Sequence, residues 1–236
     1  MVLRGVTAVL LPGTGSDDDY IRRAFLRPLQ QVGAELVTHR PLPGRLIEGY
    51  LEALDQAANR SGPILAGGVS IGAAVATAWA LRHPERVVGV LAALPAWTGS
   101  PDDAPAAHAA RYSAGQLRND GLAAVVAQMR ASSPTWLGDE LTRSWTAQWP
   151  QLPDALEEAA AFVAPTPAEL AALTVPMGVT AAVDDAVHPL QIASEWAATV
   201  PRAALCTVTL DQIGADPTAL GTACVKALTI AAVEPC

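Results

Sequence analysis

A serine between two glycines is the first feature of this chain whose residue types point to chemistry. Ser70 stands between Gly68 and Gly72, with a short apolar run at 63–66 before it and a helix-forming stretch at 73–82 after it. A strand, a sharp turn with serine at its apex and a helix together predict a nucleophile elbow, which exposes the serine hydroxyl. The alternative is a glycine-rich turn that carries an incidental serine.

Two backbone amides are predicted to lie beside the Ser70 hydroxyl. The amide of Ile71 stands at a helix N-terminus, directly after the serine. A second turn, at 13–16, follows an early apolar run, and its Thr14 amide is expected to point into the same space. Two such donors form an oxyanion hole, and each is worth about 3–4 kcal/mol in working enzymes. The alternative is a plain turn that leads into a capped helix.

The glycine-rich turn also invites a nucleotide-binding interpretation, which its residues argue against. The third glycine of the dinucleotide fingerprint is missing, and no Gly-Lys-Ser/Thr ending is present. The three aspartates at 17–19 would repel a pyrophosphate. They are better explained as N-cap and first-turn residues of a helix. A nucleotide-dependent enzyme is therefore the least favoured of the functions considered.

The elements that must position these groups follow from apolar runs that alternate with helical patterns. This alternation predicts an α/β fold, with a mostly parallel sheet of about six strands and helices on both faces. The candidate strands are 7–11, 34–39, 64–66, 87–94, 177–183 and 205–210. The candidate helices are 20–32, 45–59, 71–83, 190–199 and 217–232.

One stretch breaks this alternation. Residues 97–173 contain no convincing strand, only helical segments separated by prolines. We expect them to form a helical lid inserted into a core made of 1–96 and 174–236, above the edge of the sheet where ligands bind. The stretch carries Trp136, Trp145 and Trp149, most of which we expect in the core of the lid.

Composition limits the class of protein and its partners. The chain has 236 residues, is 51% hydrophobic and carries a formal net charge of −8. This charge argues against partners such as nucleic acid or anionic membranes, and no apolar stretch is long enough to predict a membrane span. Without a predicted signal peptide, and with Cys206, Cys224 and Cys236 expected as free thiols, we expect a cytoplasmic protein. The oligomeric state is not predicted.

Five features occur together in a set order. They are the glycine-rich turn, the elbow, a segment that leads into the next strand, the helical stretch and a late strand end, at 13–16, 68–72, 82–87, 97–173 and 183–189. In this order they resemble the α/β-hydrolase family, in its small, lidded esterase- and thioesterase-like branch. The resemblance covers nearly the whole chain and implies an acyl hydrolase that needs no metal or organic cofactor.

The resemblance also assigns roles to individual residues. Ser70 matches the family's nucleophile, and Ile71 and Thr14 match its oxyanion donors. Asp185 matches the acid, in the family's Asp-x-Val-x-Pro pattern. Asp184 would take that role if the strand ended one residue earlier, and both aspartates would otherwise be solvated residues that cap a helix.

The chain departs from the family at the base. The family places a histidine after the last strand, usually behind a glycine, but here Ala215 follows Gly214. Without a proton acceptor within hydrogen-bond reach, a serine hydroxyl is a poor nucleophile near neutral pH. His188 is the best candidate for a replacement, because it follows Asp185 on a loop expected to approach Ser70. The alternative is a histidine that packs in this loop.

The other three histidines are weaker candidates. His83 is expected in a structural role at a helix end, His39 as a capping or surface residue, and His108 in the lid. The distance between the His188 ring and the Ser70 hydroxyl decides whether His188 is able to act as the base. A separation near 3 Å from the Ser70 hydroxyl would indicate a rewired triad, whereas more than about 7 Å would exclude this histidine.

The favoured function is therefore a serine-dependent acyl hydrolase that acts on a small or medium apolar ester or thioester. The runner-up is a non-hydrolytic or catalytically impaired member of the fold that binds a small apolar ligand. It is motivated by the alanine at position 215 and by the rule that fold does not fix function.

Overall fold

A six-stranded sheet forms the centre of the molecule in a computed structural model that describes residues 3–233. All neighbouring strands run parallel, in the order β2-β1-β3-β4-β5-β6. The strands are β1 (Thr7–Leu11), β2 (Glu35–Thr38), β3 (Ile64–Val69), β4 (Val87–Ala93), β5 (Met177–Ala182) and β6 (Ala203–Val208). The predicted parallel sheet of six strands is confirmed.

Ten α-helices connect and cover these strands in the described part of the chain. Their order and bounds are α1 (Asp18–Gln31), α2 (Leu46–Ser61), α3 (Ile71–Arg82), α4 (Pro105–Ser132), α5 (Thr135–Gln148), α6 (Leu152–Ala160), α7 (Pro167–Ala171), α8 (Leu190–Thr199), α9 (Leu210–Ala215) and α10 (Thr218–Ala231). A short 3₁₀ turn, Pro84–Arg86, precedes β4. The five predicted helices correspond to α1, α2, α3, α8 and α10.

Two apolar layers hold helices against opposite faces of the sheet. Because successive side chains of a strand point to opposite faces, Val9 and Leu11 of β1 join one layer, while Ala8 and Leu10 join the other. Helices α2, α3 and α8 pack in the first layer, and α1 and α10 pack in the second. The predicted cover of helices on both faces is confirmed.

The central strands are apolar because both of their faces are covered. Every residue of β3 and β5 is buried, as expected for interior strands of a parallel sheet. Their neighbours are aligned so that Leu11 of β1 lies beside Gly68 of β3, which in turn lies beside Ala92 of β4. The carboxyl ends of β1, β3 and β4 therefore meet at one edge, where the Ser70 turn begins.

The chain between β4 and β5 folds as helices α4 to α7, with no strand among them. Helix α4 is interrupted at Gly121, whose φ of 77° is outside the helical range. The predicted limits of the insertion, 97 and 173, enclose these four helices.

Two further expectations concern the membrane and the thiols. Within residues 3–233, no helix combines the length and the apolar character that crossing a bilayer requires. Cys206 and Cys224 are free thiols, whereas Cys236 lies outside the described residues.

Candidate active site

Ser70 stands at the apex of a sharp turn between β3 and α3. Its φ of 55° and ψ of −117° place it in a region that residues with side chains rarely adopt. The turn is held because the Ser70 N–H donates to the Ala93 carbonyl at 2.9 Å, while its own carbonyl accepts from Ala73 and Ala74. Such backbone strain costs about 1–3 kcal/mol and persists where the surrounding structure enforces it.

The glycines beside this serine are required by close packing. A Cβ on Gly72 would lie 2.7 Å from the Pro12 carbonyl oxygen, and one on Gly68 would lie 2.6 Å from the Gly72 carbonyl carbon. Any larger residue would push α3 away from β3 and from the end of β1. The glycines at 68 and 72 are therefore required by a strained turn and by a helix packed close to its strand.

The loop after β5 brings a carboxylate and an imidazole to this serine. His188 Nε2 lies 3.0 Å from Ser70 Oγ, and His188 Nδ1 lies 2.8 Å from Asp185 Oδ2. The side chain of Asp185 is 11% exposed and that of His188 is 18% exposed. In the tautomer with Nδ1 protonated, His188 donates to the carboxylate and the Ser70 hydroxyl donates to Nε2.

Asp185 also fixes the shape of the loop that carries it. Its Oδ1 accepts from the backbone N–H of Val187 at 2.8 Å and from that of His188 at 3.2 Å. Burial alone would raise the pKa of Asp185, but the hydrogen bonds from the His188 ring and from these two amides outweigh it and hold the pKa below its ordinary value. The carboxylate therefore stays charged beside the imidazole near neutral pH.

Asp184, the alternative acid, lies in a different contact. Its Oδ1 accepts from the backbone N–H of Leu210, at 2.8 Å, in the first turn of α9. Of the two neighbouring aspartates, the structure places Asp185 against His188 and Asp184 against the segment that follows β6.

The segment after β6, where the family carries its histidine, folds as the helix α9. Thr209 and Gln212 form a capping box, in which each side chain accepts from the backbone N–H of the other. The pattern Thr-x-x-Gln was the sequence signal for this helix. Ala215 ends α9 with its side chain exposed, while Ile213 lines the cavity beside Ser70.

The three remaining histidines lie elsewhere. His39 directly follows β2, His83 caps the end of α3, and His108 is exposed on α4. Of the residues that the structure describes, His188 is the histidine that lines the cavity at Ser70.

The turn after β1 lies against the serine. A Cβ on Gly13 would be 3.5 Å from the Ser70 Cβ, and Thr14 lines the same cavity. Ile71 is the first residue of α3, so its N–H has no partner within the helix. Asp17 begins α1 as its N-cap, because it accepts from the Tyr20 N–H at 3.1 Å, as expected for the aspartates of this turn.

A cavity of about 330 Å³ opens above Ser70. Its walls come from the carboxyl edge of the sheet and from α4, α5, α6 and α9, and most of the lining side chains are apolar. Trp136 and Trp145 belong to this lining, whereas Trp149 is 38% exposed. Trp145 is 5% exposed and belongs to the buried core, as expected for most of the three, but its ring also lines the cavity, and Trp136 packs against the core from the cavity wall.

Glu140 of α5 brings a formal charge to the cavity wall. It is paired with Arg23 of α1 and with Arg143 one turn further along α5. Within the described residues, no cluster of three or more histidine, cysteine or acidic side chains is arranged to hold a metal ion.

Comparison with known proteins identifies the fold. No protein-family model and no curated protein sequence matches the chain. Solved structures do match, among them a candidate non-heme bromoperoxidase from Mycobacterium tuberculosis, at 17% identity and a TM-score of 0.71, over 97% of this chain and 94% of that one.

Two further structures agree. One is a carboxylesterase from the thaumarchaeon Nitrososphaera gargenis, with 14% identity, a TM-score of 0.70 and coverage of 89% of this chain and 85% of that one. The other is a hydrolase from Pseudomonas aeruginosa, with 22% identity, a TM-score of 0.68 and coverage of 94% and 89%. The chain has the α/β-hydrolase fold, as the resemblance implied.

Proposed function

We propose that this chain, with its α/β-hydrolase fold, is a serine-dependent acyl hydrolase. The observation that carries the proposal is the continuous hydrogen-bonded row from Ser70 Oγ through His188 to Asp185, with separations of 3.0 and 2.8 Å. A nucleophile, a base and a group that orients the base, each within hydrogen-bond reach of the next, are what acyl transfer by a serine requires.

The mechanism assigns one step to each group. His188 Nε2 takes the hydroxyl proton as Ser70 Oγ attacks the carbonyl carbon, and the N–H groups of Thr14 and Ile71 stabilise the resulting oxyanion. The protonated imidazole then gives its proton to the leaving alcohol or thiol, which leaves an acyl group on Ser70. A water molecule, activated in turn by His188, releases the acid and restores the serine. Asp185 holds the ring and stabilises its charged form.

The cavity suggests an uncharged acyl group of small or medium size. Its volume of about 330 Å³ is at the lower end for ligand pockets, and side chains such as Leu94, Met129 and Leu141 provide apolar walls. The carboxylate of Glu140 is already neutralised by two arginines. We therefore propose an apolar ester or thioester as the substrate, and the carboxylesterase and hydrolase among the structural matches support this choice.

The position of His188 also bears on the non-hydrolytic alternative. That alternative was motivated by the alanine at position 215, where the family has its base. With the His188 ring 3.0 Å from Ser70 Oγ, a proton acceptor is present from another part of the chain. This supports hydrolysis over simple ligand binding.

Labelling with a fluorophosphonate probe tests the proposal. The phosphorus atom should bond to Ser70 Oγ with loss of fluoride, and intact mass should increase by one adduct. Ser113→Ala is the matched control, because Ser113 lines the same cavity and lies outside the row of three groups. We expect labelling of the wild type and of Ser113→Ala, and none of Ser70→Ala or His188→Ala. An unlabelled wild type, or a labelled Ser70→Ala, would overturn the proposal.

A further inference from the structure

We propose that helix α5 orients the Thr14 amide, and that Ser144 and Gln148 are the positioning residues through which it does so. The inference rests on the proposed function, because it concerns a donor of the oxyanion hole. It assigns to part of the insertion a role in forming the catalytic site, beyond the wall that it gives to the cavity.

The direction of the Thr14 N–H follows from the turn in which it lies. The Gly13 carbonyl and the Thr14 N–H belong to one planar peptide group, so they point in opposite directions. The Gly13 carbonyl accepts from the Ser16 N–H at 3.0 Å. Gly15, with a φ of 71°, supplies the conformation that such a turn needs at its third residue. The position of Ser16 therefore sets the direction of the Thr14 donor.

Two side chains of helix α5 donate hydrogen bonds to backbone carbonyl groups on the far side of this turn. Ser144 Oγ donates to the Gly15 carbonyl at 2.5 Å, and Gln148 Nε2 donates to the Ser16 carbonyl at 3.0 Å. Both side chains are buried, Ser144 completely and Gln148 to all but 8%. The Gly15 carbonyl shares its peptide group with the Ser16 N–H, which donates to the Gly13 carbonyl, so the Ser144 contact acts directly on the peptide that closes the turn. The Gln148 contact holds the next peptide group, between Ser16 and Asp17.

A third contact from α5 fixes the end of the turn. The Arg143 guanidinium binds the Asp17 carboxylate through two nitrogens, at 2.6 and 2.8 Å. Bidentate pairs of this kind constrain orientation as well as distance. Asp17 is also the N-cap of α1, so the end of the turn is held to both helices.

The indole ring of Trp145 packs closely against the turn. A Cβ on Gly15 would lie 2.5 Å from Trp145 Nε1, so the indole ring closely covers this residue. On the opposite side, the Tyr50 hydroxyl of α2 donates to the Pro12 carbonyl at 3.1 Å. Residues 12–17 are thus fixed at the start by the core and at the end by α5, with Thr14 between them.

The double variant Ser144→Ala/Gln148→Ala tests this inference, with Thr146→Ala as the matched control. Thr146 is exposed on the same helix, and its hydroxyl donates to the Thr142 carbonyl of α5 itself. Hydrolysis of p-nitrophenyl butyrate gives kcat and KM, and the rate of fluorophosphonate labelling gives a second measurement. Butylboronic acid, which forms a tetrahedral adduct on serine, reports binding in the oxyanion hole.

We expect kcat of the double variant to fall about 10- to 100-fold, since complete loss of one oxyanion donor costs about 100- to 1,000-fold. KM should stay within about twofold, because the contacts that bind the ground-state ester are unchanged. Boronate affinity should fall in parallel with kcat/KM, because the tetrahedral adduct resembles the transition state. The pH profile should keep its shape, since Ser70 and His188 are unchanged. Thr146→Ala should match the wild type in every measurement.

Failure of the proposed function and failure of the role of α5 give different results. A wild type that is neither labelled nor active means that the proposed function fails. A wild type that is active, together with a double variant that keeps its kcat or changes only in KM, overturns the role of α5 and leaves the function standing. If the double variant does not fold by circular dichroism, Gln148→Ala alone, at the end of α5, is measured against the same control.

Discussion

The neighbouring aspartates of the β5 loop give the sharpest test of the proposed proton transfer. In Asp185→Asn, the side-chain oxygen is still able to accept from the amides of Val187 and His188, so the loop should keep its shape. The new NH₂ group, however, must donate to His188 Nδ1. The ring proton then moves to Nε2, which donates to Ser70 and is no longer able to accept the hydroxyl proton.

The loss of activity should greatly exceed the loss of stability. A change of this kind that preserves geometry but imposes the wrong tautomer lowers kcat about 10⁴-fold, which corresponds to about 5 kcal/mol of transition-state stabilisation. The folded state loses one charge-assisted hydrogen bond, worth about 1.5–3 kcal/mol. Asp184→Asn is the matched control, because its side-chain oxygen still accepts from the Leu210 N–H, away from the imidazole. It should keep wild-type kcat.

The assay is hydrolysis of p-nitrophenyl butyrate with active sites counted by fluorophosphonate adducts, and urea unfolding measures stability. Two results would refute the reasoning. One is an Asp185→Asn enzyme with kcat within about tenfold of the wild type, far from the expected loss. The other is an Asp184→Asn enzyme that is impaired to the same extent, which would show that the charge of the loop matters rather than the contact with His188.

Three further outcomes are expected. In a His188→Ala background, Ala215→His should not restore activity towards the same ester, because the side chain at 215 is exposed at the end of α9. The free energy of unfolding, measured in urea, should be about 1–2 kcal/mol higher for Ser70→Gly than for Ser70→Ala, because glycine relieves the strain at a φ of 55°. Burial alone would raise the pKa of Asp17, but the hydrogen bonds from Arg143 and from the helix amide outweigh this effect, so the pKa lies below its ordinary value. As the pH falls, Asp17 is therefore protonated in the unfolded chain before it is protonated in the folded one. The stabilisation that the Asp17 carboxylate gives the fold is present above about pH 4 and is lost as the pH falls further. Asp17→Asn should accordingly lose about 1.5–3 kcal/mol at pH 7, and this difference should shrink in unfolding curves taken towards pH 2.

Local pattern was sufficient to predict the sheet and the elbow. Buried parallel strands are continuous apolar runs, and the turn at 68–72 needs glycine on both sides of its serine, so each signal is contained in a few neighbouring residues. The loop with Asp185 and His188 was predictable for a similar reason. Both groups lie on one short segment that ends a strand, and strand ends of a parallel sheet meet at the ligand-binding edge.

What the sequence did not predict depends on contacts between distant residues. Arg143 and Asp17 are 126 positions apart, and nothing in the local pattern of α5 indicates that its side chains bind the turn after β1. The tryptophans show the same limit, because helical spacing does not distinguish a side chain in the core from one that lines a cavity. Helix α9 is different, since the capping box of Thr209 and Gln212 is a local signal that the sequence itself contains.

The short spacing of Asp185 and His188 has a consequence for how the site responds to thermal motion. Because the two groups lie within four consecutive residues, the hydrogen bonds that join the carboxylate to its two amide donors and to the imidazole all form inside one loop. Displacement of the edge strand β6 relative to β5 therefore leaves the distance between acid and base unchanged. The remaining variable is the distance from this loop to Ser70, which depends on β3, β4 and β5 and on the contact of Asp184 with the Leu210 N–H, whereas a base placed after β6 would stand on the edge strand itself.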